Sequence, residues 1–144
     1  MKILMVCLGN ICRSPLAEGI LQSKLNDGFV IESAGTGNWH VGQSPDERSV
    51  LIARKYGIDI SKQRARQFQQ DDFEKFDLIF VMDSSNYETV IKLAENEEQR
   101  KKVRLILDDA DVPDPYFGGE EGFENVFQLL DRATDNFLDQ LKKS

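Results

Sequence analysis

Residues 7–15 read Cys-Leu-Gly-Asn-Ile-Cys-Arg-Ser-Pro, and the four residues before them, 3–6, read Ile-Leu-Met-Val. A short apolar run that ends at a Gly-containing segment predicts a buried β-strand. Ser14 followed by Pro15 is typical of the N-cap and the first position of an α-helix. The stretch therefore predicts a strand, a short loop and a helix in succession.

The alternation of strand and helix continues along the chain on both sides of this stretch. Further apolar runs predict buried strands at 29–31, 78–82 and 103–107. Helices are predicted from residue 14 to about 25, from 44 to 57, from 83 to about 95 and over 123–141. The strand segments are nearly all apolar rather than alternating, which is typical of a parallel sheet with both faces covered. We therefore expect an α/β fold in which residues 1–144 form a single domain.

The composition narrows the classes of function. The chain has 144 residues, with 18 Lys and Arg against 25 Asp and Glu, a net charge of −7 and a pI near 4.7. This acidity argues against a nucleic acid or an anionic membrane as the main partner. Membrane insertion is not expected, because no apolar run reaches the roughly 18 residues of a membrane span. The apolar start is too short for a signal peptide, so we expect a cytoplasmic protein. The oligomeric state stays open.

The cysteines and the histidine also limit the chemistry. Cys7 and Cys12 are the two cysteines, and His40 is the one histidine. A disulfide between two cysteines this close in sequence would not stabilise the fold as a whole. Together with one histidine, the two cysteines do not have the spacing of a metal site. We therefore expect neither a metal nor a cofactor. A lone histidine is more often a surface or packing residue, so His40 is assigned no role.

The loop between the first strand and the first helix has the features of an anion-binding site. Gly9 and Asn10 tolerate positive φ angles, which would let backbone N–H groups converge at the helix N-terminus. Arg13 is placed to hold two oxygens of the anion. Cys7 lies at the base, where such a positive field favours the thiolate, and Ser14 is placed to donate its hydroxyl to the sulfur. A thiolate beneath a bound phosphate can attack the phosphorus and form a thiophosphate.

This stretch resembles the phosphate loop of the low-molecular-weight protein tyrosine phosphatases. Further segments are similar to that family, in the same order and with agreeing spacing: 33–36, 41–46, 64–66, 82–86 and 114–116. The resemblance extends over essentially the whole chain. It implies a four-stranded parallel sheet with helices on both faces and the phosphate loop between the first strand and the first helix. It also implies hydrolysis of phosphotyrosine through a cysteinyl-phosphate, without a metal.

The resemblance implies a role for each residue of the loop. Cys7 matches the nucleophile, and Arg13 matches the residue that holds the phosphate and stabilises the transition state. The phosphate-binding residues of the family match Leu8, Gly9, Asn10, Ile11, Cys12, Arg13 and Ser14. Cys12 also matches a second cysteine that can form a disulfide with an oxidised nucleophile and protect it. Asn10 is expected to fix the loop through side-chain hydrogen bonds, and Asp83 to lie near the site or to cap a helix.

The first step also needs an acid, because the departing oxygen must receive a proton. Residue type alone leaves four candidates after the last predicted strand: Asp108, Asp109, Asp111 and Asp114. Asp114 differs because the proline after it restricts its backbone and aromatic residues follow. The resemblance assigns the acid to the aspartate of an Asp-Pro-Tyr motif, which Asp114 matches. The same carboxylate would then act as the base for water, and Asp111 is the second choice.

Three aromatic residues are candidates for the walls of the site. Tryptophan is usually a core or satellite-cluster residue, but the resemblance places Trp39 and Tyr116 on either side of a phosphotyrosine ring. Phe117 stands where many family members have a second tyrosine, and it lacks that hydroxyl. These residues fall in loops that leave the carboxyl ends of predicted strands, where ligands bind in such sheets.

Three other functions share parts of this pattern. A phosphoarginine phosphatase of the same family tends to carry threonine where this chain has Ile11, so Ile11 favours phosphotyrosine. An arsenate reductase on the same fold relays oxidation through additional cysteines, and none follows Cys12. A silent phosphate-binding module needs neither Cys7 nor Asp114. We therefore predict a protein tyrosine phosphatase whose partner is a phosphotyrosine-containing protein or peptide.

Overall fold

A computed structural model of the chain describes residues 1–116 and 118–143. Within these residues, four strands form one sheet: β1 Lys2–Cys7, β2 Val30–Gly35, β3 Leu78–Val81 and β4 Val103–Leu105. All neighbouring strands are parallel, and their order across the sheet is β2-β1-β3-β4. Val6 of β1 pairs with Ala34 on one side and with Val81 on the other. The strand that leads into residues 7–15 is therefore interior to the sheet.

Helices cover both faces of this sheet. Those within the described residues are α1 Arg13–Lys24, α2 Glu47–Lys55, α3 Asp72–Lys75, α4 Ser84–Leu93, α5 Glu97–Lys101 and α6 Glu120–Lys143. Side chains of β1 alternate between the faces: Ile3 and Met5 belong to the cluster that includes α1 and α6. Leu4 and Val6 belong to a second cluster with α3 and α4. Burying each such aliphatic side chain stabilises the fold by about 1.5–3 kcal/mol. The predicted single-domain α/β fold with a four-stranded parallel sheet is confirmed.

Two predicted helix starts are wrong. Helix α1 begins at Arg13, with Cys12 in the N-cap position and no side-chain cap. Ser14 does not cap the helix because its hydroxyl is turned to other partners in the loop. Helix α2 begins at Glu47, and its N-cap is Asp46 rather than Ser44, since the Asp46 carboxylate accepts the Arg48 N–H at 2.8 Å.

Other differences concern short or polar segments. Strand β2 begins at Val30 and extends to Gly35, four residues beyond the predicted run, whereas β4 ends at Leu105 rather than at residue 107. The sequence did not predict α3 and α5, which have four and five residues. Both are too short to show an amphipathic period. In the described part of the chain, no helix combines the length and the apolar character needed to cross a membrane.

Candidate active site

The loop from β1 to α1 and three other loops meet at the carboxyl edge of the sheet. A cavity of about 230 Å³ lies between the loops that follow β1, β2 and β4. It is lined by Cys7, Leu8, Gly9, Ile11, Cys12, Arg13, Trp39, His40, Asp114 and Tyr116. Two segments of the site face each other: the cysteine loop, residues 7–13, and the aspartate loop, residues 111–116. Parallel strands end at one edge of a sheet, which is why segments distant in sequence converge here.

The backbone of the cysteine loop is bonded to the segment that follows β2. The carbonyl oxygens of Cys7 and Leu8 accept the N–H groups of Thr36 and Gly37, both at 2.9 Å. Gly35 allows this close approach, since a Cβ at that position would lie 2.8 Å from the Leu8 carbonyl oxygen. These hydrogen bonds hold the backbone of the cysteine loop against the segment that follows β2.

The sulfur of Cys7 is buried at the base of the cavity, with the residue only 2% exposed. The Asn10 N–H donates to it at 3.3 Å, and the Ser14 hydroxyl oxygen lies 3.1 Å away. Because that oxygen already accepts the Asn10 side-chain amide at 2.7 Å, the hydroxyl proton is available to the sulfur. Two hydrogen-bond donors therefore converge on this sulfur.

Asn10 holds the bend of the cysteine loop. Its φ is 58°, in the left-handed region that asparagine tolerates better than most residues. Its side-chain amide donates to Ser14, and its side-chain oxygen accepts the Arg66 N–H at 3.0 Å. The expected side-chain hydrogen bonds of Asn10 are present. Gly9 does not adopt a positive φ; instead, a Cβ there would lie 3.1 Å from the His40 ring.

The Arg13 guanidinium is 3% exposed and is fixed by groups from two other loops. Its Nη1 donates to the Asp83 carboxylate at 2.7 Å and to the Val112 carbonyl at 2.9 Å. Burial alone would lower the pKa of Arg13, but the negative groups of Cys7 and Asp83 raise it above its ordinary value. Asp83 also caps α4 by accepting the Asn86 N–H at 2.8 Å, so both expectations for Asp83 apply.

The aspartate loop places its two candidate acids differently. Asp114 lines the cavity, with one carboxylate oxygen 3.8 Å from Arg13 Nη2 and the other accepting the Tyr116 N–H at 3.0 Å. Asp111 accepts the N–H and the hydroxyl of Ser84, at 2.9 and 2.8 Å, at the start of α4. Asp111 is therefore occupied in capping a helix, and Asp114 is the acid candidate that faces the cysteine.

The predicted walls lie at the mouth of the cavity. Trp39 is 66% exposed and Tyr116 is 37% exposed, so neither is a core residue. The Trp39 ring lies over Gly37, where a Cβ would be only 1.7 Å from it. Apolar side chains this exposed around a polar base suit the ring of an aromatic ligand. The predicted third aromatic, Phe117, lies outside the described residues.

Cys12 lies on the wall of the cavity and is 5% exposed. Burial, and then the negative charge of Asp46, raise the pKa of its thiol to about 12. Cys12 is therefore a thiol and not a thiolate at neutral pH. Both cysteines are free. In the described part of the chain, no three His, Cys, Asp or Glu side chains form a group that could hold a metal ion.

Sequence reasoning missed two residues of this site. His40 lines the cavity beside Gly9, and its ring centroid lies 6.5 Å from that of Tyr116. Its position next to Trp39 was the available signal. Arg48 bonds to the carbonyl oxygen of Tyr116, 68 residues away in sequence. Its sequence context is that of a solvated charge on a helix, so no local signal marked it.

Comparison with known proteins identifies the family. Residues 2–144 match the family model described as low molecular weight phosphotyrosine protein phosphatase. The chain belongs to this family. The slr0328 protein of Synechocystis is 44% identical over an alignment 154 residues long. The alignment covers 99% of this chain and 98% of the relative. A low molecular weight protein-tyrosine-phosphatase of Streptomyces coelicolor is 40% identical, over 95% of this chain and 91% of its own.

A solved structure agrees with this assignment. The protein tyrosine phosphatase of Entamoeba histolytica, crystallised with Hepes in its active site, superposes with a TM-score of 0.93 at 36% identity. The superposition covers 99% of this chain and 97% of the other. The family predicted from residues 7–15 and the other matching segments is confirmed.

Proposed function

We propose that this protein hydrolyses phosphotyrosine in proteins or peptides through a cysteinyl-phosphate. The observation that carries the proposal is a single cavity with a buried Cys7 sulfur at its base, the Arg13 guanidinium beside it and the Asp114 carboxylate facing it. A nucleophile, an anion-binding group and a proton donor are what phosphoryl transfer to a thiolate requires.

In the first step, the Cys7 thiolate attacks the phosphorus and forms a sulfur–phosphorus bond. The bond from phosphorus to the tyrosine oxygen breaks, and its electron pair goes to that oxygen. Asp114 gives its proton to the departing oxygen, because an unprotonated phenolate with a pKa of about 10 is a poor leaving group at neutral pH. The products are the cysteinyl-phosphate, the tyrosine side chain and the Asp114 carboxylate.

In the second step, the Asp114 carboxylate takes a proton from water while the water oxygen attacks the phosphorus. The sulfur–phosphorus bond breaks, and the thiolate of Cys7 leaves with its electron pair. The Ser14 hydroxyl and the Asn10 N–H stabilise that thiolate. The cycle ends with inorganic phosphate and an Asp114 that again carries a proton.

The cysteine loop would bind the phosphate in both steps. Backbone N–H groups of residues 8–13 at the start of α1, together with Arg13, supply donors and positive charge to the equatorial oxygens. This is the work that metal ions perform in other phosphoryl-transfer enzymes, so we infer that turnover needs no metal. Trp39 and Tyr116 would hold the tyrosine ring above the sulfur.

The proposal is tested by hydrolysis of phosphotyrosine and phosphoarginine peptides of the same sequence, with a chelator present. Wild type is expected to hydrolyse the phosphotyrosine peptide and to prefer it, because the buried Ile11 side chain gives the cavity an apolar wall. Cys7→Ser is expected to lose turnover and to keep the fold. Hydrolysis confined to phosphoarginine would overturn the substrate and keep the mechanism. Retained turnover in Cys7→Ser would overturn the mechanism.

We also propose a protective role for Cys12. When a peroxide oxidises Cys7 to a sulfenic acid, the Cys12 sulfur can attack the Cys7 sulfur. A disulfide then forms, and the hydroxyl of the sulfenic acid leaves with the Cys12 proton as water. Cys12 lines the same cavity as Cys7. Because the thiolate is the nucleophile, the buried Cys12 thiol must lose its proton toward the departing hydroxyl as the sulfur–sulfur bond forms. The disulfide is reducible, whereas further oxidation of the sulfenic acid is not readily reversed.

A further inference from the structure

Arg48 of α2 connects two parts of the molecule without lining the cavity. Its Nε donates to one oxygen of the Asp46 carboxylate and its Nη2 donates to the other, both at 3.1 Å. The same guanidinium donates from Nη2 to the Tyr116 carbonyl at 2.8 Å and from Nη1 to the Gly118 carbonyl at 3.0 Å. One planar side chain therefore bonds to three residues, and two of them lie at the end of the aspartate loop or just beyond it.

Aromatic contacts hold the guanidinium in this plane. Its central carbon lies 4.5 Å from the centroid of the Phe123 ring and 5.7 Å from that of the Tyr116 ring. Phe123 is buried at the start of α6. A guanidinium between aromatic faces gains cation–π attraction and loses freedom to rotate. Arg48 is therefore a fixed connection rather than a mobile surface charge.

The other end of this connection is fastened to the cysteine loop. The Asp46 N–H donates to the Ile11 carbonyl at 2.8 Å, and the Ser49 hydroxyl to the Cys12 carbonyl at 3.4 Å. Burial would raise the pKa of Asp46, but its hydrogen bonds from Arg48 hold that pKa below its ordinary value. Asp46 is thus a carboxylate anchored against the loop that carries Cys7.

The peptide of Tyr116 links Arg48 to the candidate acid. Its carbonyl accepts from Arg48, and its N–H donates at 3.0 Å to one carboxylate oxygen of Asp114. That hydrogen bond leaves the other Asp114 oxygen 3.8 Å from Arg13. The Asp114 side chain is 42% exposed, so packing alone does not set its orientation.

We propose that Arg48 is a positioning residue for the general acid. It fixes the Tyr116 peptide relative to the cysteine loop, and that peptide in turn aims Asp114 at the departing oxygen. The inference rests on the proposed function, in which Asp114 protonates the leaving group. Arg48 does not line the cavity, so its loss is expected to act through the Tyr116 peptide and the Asp114 carboxylate bonded to it.

The leaving group of the substrate separates this role from a structural one. We would measure kcat/KM for phenyl phosphate and for p-nitrophenyl phosphate, whose phenolate is stabilised by the nitro group and needs the acid less. Arg48→Gln is expected to lower kcat/KM for phenyl phosphate by about tenfold or more and for p-nitrophenyl phosphate by about threefold or less. Inhibition by inorganic phosphate is expected to stay within about twofold of wild type, because the cysteine loop is unchanged.

Three further variants complete the test. Arg54→Gln removes the same charge from an exposed position of α2 and is expected to leave both substrates unchanged. Arg48→Lys is expected to fall between wild type and Arg48→Gln, since an ammonium cannot reproduce the planar fork, and it serves if Arg48→Gln does not fold. Asp114→Asn is the reference for complete loss of the acid.

The outcomes distinguish the inference from the function on which it rests. Equal losses on the two substrates in Arg48→Gln and Arg48→Lys, or no loss, would overturn the positioning role while Asp114→Asn still discriminates between leaving groups. If Asp114→Asn also lowers kcat/KM equally for the two substrates, the acid assignment and the positioning role are both overturned. Loss of phosphate inhibition in the Arg48 variants would show that they act on the cysteine loop instead.

Discussion

The cysteine loop and the aspartate loop face each other across one cavity, but they are held by different means. In the cysteine loop, Cys7, Asn10 and Arg13 are each no more than 3% exposed, and backbone bonds tie the loop to the segment after β2. In the aspartate loop, the Asp114 side chain is 42% exposed and its neighbour Tyr116 is 37% exposed. The anion-binding half is part of the core, whereas side-chain contacts from Arg13 and Arg48 set the position of the acid half.

This difference predicts that mutations in the two loops affect different properties of the protein. Loss of the hydrogen bonds that shape the cysteine loop lowers the stability of the fold and the affinity for phosphate together. A change in the aspartate loop disturbs the proton transfer and spares both.

The largest effect is expected from Asp114→Asn. General acid catalysis contributes about 10²–10⁴-fold, so kcat/KM for phenyl phosphate is expected to fall by roughly that factor and for p-nitrophenyl phosphate by much less. The free energy of unfolding is expected to change by less than about 0.5 kcal/mol, because the side chain is exposed. Asp111→Asn is the matched control: its amide oxygen can still accept from Ser84, so the free energy of unfolding is expected to change by less than about 0.5 kcal/mol, with no dependence on the leaving group. If the two variants exchanged these phenotypes, Asp111 would be the acid.

Asn10→Ala is expected to weaken the cysteine loop as a whole. It removes hydrogen bonds to Ser14 and Arg66 and puts a less tolerant residue at φ 58°. We expect a loss of about 1–3 kcal/mol in the free energy of unfolding, with phosphate inhibition about tenfold weaker. Asn10→Gly keeps the backbone conformation accessible and removes the same bonds, so chemical denaturation of both variants separates the two causes. Unchanged phosphate inhibition in both would contradict the role given to this loop.

Cys12→Ser tests whether the buried wall of the cysteine loop protects its nucleophile. Wild type inactivated by a brief peroxide treatment is expected to regain most of its activity with dithiothreitol. Cys12→Ser is expected to regain little, because a Cys7 sulfenic acid without a partner thiol oxidises further. The activity before treatment gives the control for damage by the substitution itself. Equal recovery in the two proteins would contradict the protective role.

The smallest effect on activity is expected at Glu18, which lies on the helix that leaves the cysteine loop. Burial, followed by the charge of Glu32, raises the pKa of Glu18 to about 7, although the Ser33 hydroxyl and Arg66 oppose this. Below pH 4.5 the group is protonated in both folded and unfolded chains. As pH rises from 4.5 toward 7, the unfolded chain ionises first, so this group lowers stability by about 1–3 kcal/mol over that range.

Glu18→Gln keeps the acceptor oxygen for Ser33 and removes the carboxyl group. It is therefore expected to be more stable than wild type at pH 8 and to lose most of this decline, as measured by urea unfolding at several pH values. Glu88→Gln, at an exposed position of α4, serves as the control. A variant that keeps the decline between pH 4.5 and 7 would show that another group causes it.

The difference between the cysteine loop and the aspartate loop also explains which features of the site could be predicted from the sequence. The cysteine loop is predicted well because its strand, its Gly-Asn pair and its helix start are neighbours in sequence. Even there, the Ser14 cap is wrong, because the hydroxyl bonds with Asn10 and Cys7 instead. The sequence favours Asp114 over Asp111 through Pro115 and the resemblance to an Asp-Pro-Tyr motif. The contact that occupies Asp111 is with Ser84, 27 residues away in sequence. Residue type and local pattern do not contain that contact.

Arg48 shows most clearly which contacts cannot be predicted from the sequence. Its partners Tyr116 and Gly118 lie 68 and 70 residues further along the chain, so only the packing of α2 against the end of the aspartate loop brings them together. The spacing of the apolar residues in α6 predicts which face of the helix is buried. No comparable sequence pattern marks a polar side chain that bonds to a distant loop. Its role has to be read from the folded chain.

The most direct test of the account is to trap the proposed intermediate. Asp114→Asn lacks the base for the second step, so with p-nitrophenyl phosphate as substrate the cysteinyl-phosphate is expected to accumulate. Rapid acid quenching and peptide mass spectrometry would then find one phosphoryl group on Cys7, and none in the double variant with Cys7→Ser. A phosphoryl group on another residue, or none on any residue while turnover continues, would contradict the mechanism.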